Sequence, residues 1–345
     1  MLFGYHQRLA SVSKKKVVVL GTGYWGLNLV RNFHEIGVLA GVCDTNPAQA
    51  LSISKKFGNV PVFSGMDDVL SDATIDGVVI ATPASTHHDL AKRALIAGKD
   101  VLVEKPLSLR LSQARELLEI ARAKSRVLMV GHLLRYHPAL IALKKLIDEG
   151  HLGKIEYLYS NRLNLGKIRT EENILWSFAP HDVSAMLWIL DALPIQVNVV
   201  GGSYLQPNVT DTTVSTFSFD HGVRGHIFVS WLHPFKEQRL VVVGSKKMAV
   251  FNDQAEAGKK LMLYDKSVEK IGDEFIATKP DVQFVGYDSA LEPLRAECVH
   301  FVSCMETRQL PRTDGEEGLA VLKVLQACQR SLQMNGQPVQ VADAD

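Results

Sequence analysis

The sequence predicts a doubly wound α/β domain with a parallel sheet, followed by an α+β domain with a large, mostly antiparallel open sheet. Three observations carry this expectation. Short apolar runs alternate with helical patterns from Lys16 to Val130, a glycine motif sits at the first strand-to-helix turn, and beyond about residue 131 the pattern becomes a succession of alternating, strand-length runs. With 345 residues the chain can bury two cores. The expected division is a tail over 1–15, a first domain over 16–131 and a second over 132–345, with the C-terminal helix free to pack back on the first.

Val17-Val18-Val19-Leu20 is an apolar run of strand length bounded by glycine, as expected of a strand buried on both faces. Gly21, Gly23 and Gly26 follow as G-x-G-x-x-G. Leu27, Val30, Phe33 and Ile36 then recur at helical spacing, and Gly37 sits where a helix C-cap falls. A second apolar run, Val38 to Cys43, ends in Asp44. Each part suits a dinucleotide. Gly21 permits the tight turn, Gly23 lets backbone approach a pyrophosphate, Gly26 lets helix pack closely on strand, and the helix N-terminus offers unpaired N–H groups. Asp44 is placed to accept both ribose hydroxyls. A carboxylate repels the 2′-phosphate of NADP, and Thr45-Asn46-Pro47 supplies no cation, so NAD is the expected cofactor.

Helices are expected from Pro47 to Gly58, over Met66–Leu70, from Ser85 to Ala97 and from Ser112 to Lys124. Strands are expected over Val60–Phe63, Asp76–Pro83, Asp100–Val103 and Val127–Val130. Ligands of such sheets lie beyond the carboxyl ends of the strands. Thr82-Pro83, Glu104-Lys105-Pro106 and Gly131-His132 fall at that edge. Further on come a helix from Pro138 to Gly150, a strand from Ile155 to Leu165, and a helix opening at His181 after Pro180 and running to Leu190. Strand runs follow at Val197–Leu205, Val209–Phe219, Val223–Trp231, Arg239–Val243 and Met248–Phe251, with Asp220-His221-Gly222 as a hairpin turn. Helices Pro293–Glu306 and Gly315–Gln333 end the pattern.

Composition excludes several classes. Lys+Arg 38 against Asp+Glu 37 leaves no net field for nucleic acid or an acidic membrane, and no apolar run is long enough to span a bilayer. The basic N-terminus, with Arg8 and Lys14 to Lys16, has no apolar core of a signal peptide and reads as a frayed tail. Cys43, Cys298, Cys304 and Cys328 show neither C-x-x-C nor metal spacing. They are expected as core thiols of a cytoplasmic protein, and no metal is expected.

Lys105 directly follows a buried strand, where desolvation and a cationic ring would lower an ammonium pKa toward neutrality and suit it to proton transfer. Glu104 can orient it and Pro106 fixes the backbone. The order and spacing of Gly21-Thr-Gly-Tyr24-Trp25-Gly26, Ala81-Thr82-Pro83 with His87, Glu104-Lys105-Pro106, Gly131-His132 with Arg135-Tyr136-His-Pro138, and Ala179-Pro-His181-Asp182 resemble the Gfo/Idh/MocA oxidoreductase family over roughly residues 14 to 335. The resemblance implies a Rossmann domain followed by a domain with a large open sheet, and pyridine-nucleotide chemistry on sugars or cyclitols. It implies that the Lys of Glu-Lys-Pro and a later His flank the reacting carbon, here Lys105 and His181. Gly21, Gly23, Tyr24, Trp25, Gly26, Asp44, Thr82, Pro83, His87, Glu104, Lys105, Pro106, His132 and Arg135 are then the cofactor contacts. Many members carry an Asp four residues before this His; Ser177 stands there, which puts the base role on His181, assisted by Lys105. Asp182 is expected to cap or orient.

Two segments bear on the substrate. Asn161-Arg162-Leu-Asn-Leu-Gly-Lys167-Ile-Arg169 places three cations at a strand end, and Trp231-Leu-His233-Pro-Phe-Lys236-Glu-Gln-Arg239 adds an aromatic face and two more. Arg recognises phosphate bidentately and Trp stacks on sugars or bases, which suits a diphosphate-linked sugar. Taken singly, each cation is also what a solvated surface carries. With Asn173 to Asp182, including Trp176, these segments resemble the nucleotide-sugar branch of the family, which oxidises the C3 hydroxyl of UDP-N-acetylglucosamine with NAD. In that branch an aminotransferase acts next, toward lipid A or O-antigen of lipopolysaccharide. The uronate form of the sugar, a free sugar or an inositol are the alternatives; a nucleotide-sensing protein without catalysis is a third reading, against which Lys105 and His181 argue. The resemblance also implies a homodimer or homotetramer.

Overall fold

The computed structural model describes residues 13–166, 168–265, 268–277 and 281–343. Lys167 and most of the expected tail therefore lie outside the described residues. The chain divides into two units, one running to His132 and joined by Leu294–Leu322, the other Leu133–Pro293 with the chain from Lys323 onward.

In the first unit β1 (Val17–Leu20), α1 (Gly26–Ile36), β2 (Leu39–Cys43), α2 (Pro47–Lys56), β3 (Val62–Phe63), α3 (Met66–Ser71), β4 (Gly77–Ile80), α4 (Ala84–Ile96), β5 (Asp100–Val103), α5 (Leu111–Ala123) and β6 (Leu128–Val130) alternate. The strands form one sheet in the order β3-β2-β1-β4-β5-β6, every pair parallel. Every residue of β1, β4, β5 and β6 is buried, which is why these strands read as unbroken apolar runs rather than alternations. Gly37 closes α1 at φ 81°, and Asn46 caps α2 by accepting from the N–H groups of Ala48 and Gln49, with Pro47 in the first turn. The order reverses between β1 and β4, so the crevice at their carboxyl ends is where this architecture takes a ligand.

The second unit holds α6 (Pro138–Asp148), β7 (Ile155–Leu163), α7 (Ile174–Leu190), β8 (Gln196–Gly202), β9 (Thr212–Ser218), β10 (Arg224–Ser230), β11 (Glu237–Gly244), β12 (Lys247–Asn252), β13 (Leu261–Asp265), β14 (Val268–Ile271), β15 (Glu274–Ala277) and β16 (Val282–Phe284). Helices α8 (Pro293–Thr307) and α9 (Gly315–Gln333) and strand β17 (Val339–Gln340) follow. The nine-stranded sheet runs β16-β13-β12-β11-β7-β10-β9-β8-β17, with β7 and β10 parallel and the other pairs antiparallel. His221 and Gly222, at φ 56° and 79°, make the turn between β9 and β10. Helix α7 covers one face, where Met186 fills the space beside Gly225 that a side chain would need. On the opposite face Tyr157, Val200 and Val214 stay exposed.

Helix α7 departs from expectation. It begins at Ile174, capped by Asn173, and encloses Pro180, so His181 lies about two turns in rather than at its start. Proline commonly opens helices, and its place inside one is set here by packing: Ile174, Leu175, Ala179 and Val183 are all buried. Strands β13, β16 and β17 and the β14–β15 hairpin are additional to the sequence reading; they are short, and β16 is exposed along its length. Helix α8 belongs to the first unit, where Phe301 meets Phe33 edge-on at 6.4 Å.

Candidate functional site

At the carboxyl end of β1 the chain makes the tight turn the glycines anticipate. Gly21 has φ +84°, and a Cβ on Gly26 would stand 1.9 Å from the Gly21 carbonyl oxygen, so neither position accepts another residue without moving the loop. Trp25 precedes α1 and no side chain caps that helix, whose Leu27 and Asn28 N–H groups are taken by the carbonyls of Gly23 and Trp25 at 2.9 Å each. Tyr24 is 89% exposed on the loop. Asp44, just past β2, accepts from the Thr22 N–H at 2.6 Å, the Thr22 hydroxyl at 2.8 Å and the Asn46 N–H at 2.9 Å. Burial opposes its charge, but these hydrogen bonds outweigh burial and hold the carboxyl below its ordinary range. Gln49, absent from the sequence reading, donates to the Thr22 carbonyl at 2.7 Å and braces the same turn. An uncapped helix start, a loop closed to side chains and an oriented anion at the second strand are what NAD requires of a protein.

Thr82 and Pro83 follow β4, and Glu104-Lys105-Pro106 follows β5. His87 joins the two loops: its Nδ1 lies 2.8 Å from the Pro106 carbonyl and its Nε2 2.9 Å from that of Thr82. At 1% exposure it holds the crevice's rim together rather than meeting a ligand, which corrects its expected contact with the cofactor. Glu104 is half-buried; its carboxyl accepts from the Trp25 indole N–H and the Lys105 backbone N–H. Burial lifts this carboxyl above the ordinary range, against the opposing influence of Trp25, Lys105 and His132. Lys105, half-buried, precedes a cis bond to Pro106. His132, after β6, is enclosed, with Nδ1 2.5 Å from Glu317 of α9. Its expected contact with the cofactor is corrected too: the ring is turned to Glu317.

In the second unit α7 carries His181, half-buried, and Asp182, buried. Asp182 accepts from the Ser160 hydroxyl at 2.5 Å and from Arg162 at 2.5 Å (Nε) and 3.2 Å (Nη2). Asp182 thus orients, as expected, by tying the helix of His181 to β7. Arg162 does not serve as a phosphate contact, because its guanidinium is engaged by this carboxylate. Arg239 pairs with Asn161 across β7 and β11, one residue out of step with Arg162, and side chains alternate along a strand, so Arg239 lies on the face opposite α7. It cannot share a substrate pocket with His181. Trp231 is fully buried and donates to Asp211 at 2.6 Å, which makes it a core residue and not a stacking platform. The corrections to Arg162 and Arg239 have one cause: sequence shows the residue type, and the strand's register decides which way it points.

Trp176 is half-buried, its indole N–H 3.0 Å from Gln329 of α9, which also accepts from Asn173 at 2.8 Å. His233 sits between the edges of Phe228 and Phe235 at 5.6 and 5.5 Å. Arg169 and Lys236 are exposed. Arg135 lies 4.7 Å over the Trp188 ring in the second unit, a cation–π contact that uses the guanidinium expected at the cofactor. The residues missed by the sequence reading, Glu317 and Gln329, stand on the last helix, far along the chain from the His132 and Trp176 they bond.

Residues 15–132 match the oxidoreductase family described as having an NAD-binding Rossmann fold, and residues 140–250 match the GFO/IDH/MocA C-terminal domain. The chain is 26% identical over 306 residues to a UDP-N-acetylglucosamine 3-dehydrogenase of Acidithiobacillus ferrooxidans, covering 88% of this chain and 93% of that one. It is equally 26% identical over 341 residues to the scyllo-inositol 2-dehydrogenase (NAD(+)) of Bacillus subtilis strain 168, covering 94% and 96%. The solved structure of the Acidithiobacillus enzyme superposes with TM-score 0.82 at 23% identity, covering 93% and 98%. A levoglucosan dehydrogenase in complex with NADH and levoglucosan gives 0.83 at 19%, covering 95% and 99%. These superpositions establish the fold. No helix among the described residues is long and apolar enough to cross a membrane. The two family matches follow one another in order, the first sheet has the strand order and glycine turn of a dinucleotide domain, and the chain belongs to the Gfo/Idh/MocA family of NAD-dependent oxidoreductases.

Proposed function

We propose that this protein is an NAD-dependent dehydrogenase that oxidises the C3 hydroxyl of UDP-N-acetylglucosamine to the 3-keto sugar. The observation that carries the substrate class is the likeness to the Acidithiobacillus 3-dehydrogenase over 88% of the chain. NAD+, when bound, accepts the hydride from the carbinol carbon. The protein's own part is the proton: His181 takes it from the hydroxyl, and Lys105 stabilises the oxygen. Ser160 and Arg162 act through Asp182 to hold the helix that presents His181. Arg169 and Lys236, exposed cations of the two segments, are the proposed contacts to the diphosphate, together with Lys167; Trp176 is the proposed contact to the sugar or base. The keto product would pass to a cytoplasmic aminotransferase. The open sheet face, with Tyr157, Val214 and the stacked pair Tyr159–His226, is the proposed seat of a second copy of the chain.

The test is NADH absorbance on adding UDP-N-acetylglucosamine, with a 3-aminotransferase and an amino donor to draw off product. No reduction with any nucleotide sugar would reject the reading. A second reading, a free-sugar or inositol dehydrogenase, is favoured by the equal identity to the inositol enzyme and by the engagement of Arg162 inside the protein. Under it, Arg169→Ala and Lys236→Ala leave KM unchanged.

A further inference from the structure

Pro180 leaves α7 one backbone hydrogen bond short immediately before His181, because proline brings no N–H to the helix ladder. A row of polar side chains that starts at the next residue steadies the helix there. Asp182 takes Nε and Nη2 of Arg162 from β7. Gln238 of β11 stands directly opposite Arg162, and its side-chain oxygen accepts from Arg162 Nη1 at 3.3 Å. The NH2 of the same amide donates to Asp253 Oδ2 at 2.9 Å. Asp253 follows β12, and its backbone N–H donates to the Gln238 backbone carbonyl at 2.9 Å. Arg162, Gln238 and Asp253 therefore lie side by side across β7, β11 and the end of β12, on the face that α7 covers.

The far end of the row is anchored as well. Lys260 Nζ donates to Asp253 Oδ1 at 2.6 Å, and His137 Nε2 lies 3.5 Å from the same oxygen. His137, to which the sequence reading gave no role, caps α6. Its Nδ1 accepts from the Ala139 N–H at 3.2 Å, so the neutral ring carries its proton on Nε2, toward Asp253. Burial opposes the charge of Asp253, yet the bonds from His137 and Lys260 hold its carboxyl well below the ordinary range.

Gln238 is the joint of this row. It links two ion pairs, Arg162–Asp182 and Lys260–Asp253, and its amide suits these neighbours in one orientation only. Turned over, its NH2 would face a guanidinium, which has only donors, and its oxygen a carboxylate, which has only acceptors. With the amide locked in this way Arg162 has an acceptor on each side, and turning away from Asp182 breaks both contacts.

We propose that Gln238 and Asp253 are positioning residues for His181: through Arg162 they fix Asp182, and with it the turn of α7 that presents the imidazole just past Pro180. The inference rests on the role given to His181 above and is independent of which sugar is oxidised.

The experiment follows the His181 ring by proton–nitrogen NMR of histidine-labelled protein without substrate, its signals identified by their loss in His181→Ala. Alongside it kcat, KM and Tm are measured with whichever sugar, nucleotide-linked or free, supports NADH formation. Wild type, Gln238→Leu, Arg162→Met, their double variant and Asp253→Asn are compared. Gln238→Leu is expected to displace or broaden the His181 signals as Arg162→Met does. It should lower kcat by roughly tenfold, within the roughly 100-fold that misplacement by about 1 Å can cost, with KM for NAD unchanged. In the Arg162→Met background it changes neither signals nor kcat further, since the residue it acts through is gone, whereas a merely structural loss multiplies. Asp253→Asn keeps the shape but has one acceptor oxygen where Lys260 and Gln238 each need one. It should move the His181 signals the same way, and it decides the matter if Gln238→Leu does not fold. His181 signals of either variant that superpose on wild type, or losses of kcat that multiply in the double variant, overturn the proposal. Should wild type oxidise no sugar, the dehydrogenase reading fails by itself and the His181 signals decide the positioning.

Discussion

Arg162 and Asp182 form an ion pair whose removal has a calculable signature. Their side chains are 13% and 3% exposed, and the carboxylate takes three hydrogen bonds, two from the guanidinium and one from Ser160. Arg162→Met leaves Asp182 with the Ser160 hydroxyl alone. Stranding a buried charge in this way costs about 3–5 kcal/mol. Asp182→Leu strands the guanidinium instead, which can relax toward solvent, so the loss is about 2–4 kcal/mol. The double variant strands nothing and replaces the pair by apolar volume, a change that is often neutral and here is expected within about 2 kcal/mol of wild type. The coupling is therefore several kcal/mol, far from the additive behaviour of independent sites. Urea unfolding reports it through tryptophan fluorescence, since Trp176, Trp188 and Trp231 all lie in the second unit and only Trp25 lies in the first. Both single variants should also lose kcat, because the helix of His181 loses its tie to β7. If the two single losses add up in the double variant to within about 0.5 kcal/mol, the pair is not the tie described, and the account of how His181 is held fails.

Four further outcomes follow from the same geometry. Trp231→Phe should cost about 1–3 kcal/mol by stranding an oxygen of buried Asp211, while KM for a UDP-sugar stays constant; a raised KM with unchanged stability would return Trp231 to the substrate. His181→Ala should lower kcat by about 10²–10⁴ while calorimetry finds NAD affinity within about twofold of wild type. Arg239→Ala, on the face opposite α7, should leave kcat/KM unchanged in steady-state assays with every sugar. Asp44→Asn should weaken NAD binding and narrow its preference over NADP; and because the Asp44 carboxyl is held below its unfolded-state pKa, the stability it contributes is complete above that value and is lost as pH falls through the native one, so acid-unfolding curves of the variant should lack that part of the slope.

The first sheet was legible because its signals are local. Val17 to Asp44 contains strand, glycine turn, helix, cap and acid within one contiguous stretch, and each constrains backbone only a few residues away. Asp44 is oriented by Thr22, within the same stretch, and by Asn46, two residues beyond it. The start of α7 was misread for the opposite reason: Pro180 is a strong local signal for a helix start, yet the capping residue is Asn173, which is itself held by Gln329, far along the chain.

What the sequence determined by itself is therefore the backbone plan and the chemistry available to it: a parallel sheet with a dinucleotide turn, a mostly antiparallel second sheet, and the residues Lys105 and His181 as candidates for proton transfer. What only the tertiary structure decided is the direction and company of side chains. Arg162 turns to Asp182 and Arg239 to the other face because a one-residue step along a strand reverses orientation. Trp231 goes to the core because Asp211, twenty residues away in sequence, stands ready to accept its N–H. Glu317 meets His132 because the chain between Leu294 and Leu322 returns to the first unit. Such encounters between distant residues leave no periodicity to read, since they are set by packing of whole elements and not by the propensities of neighbours.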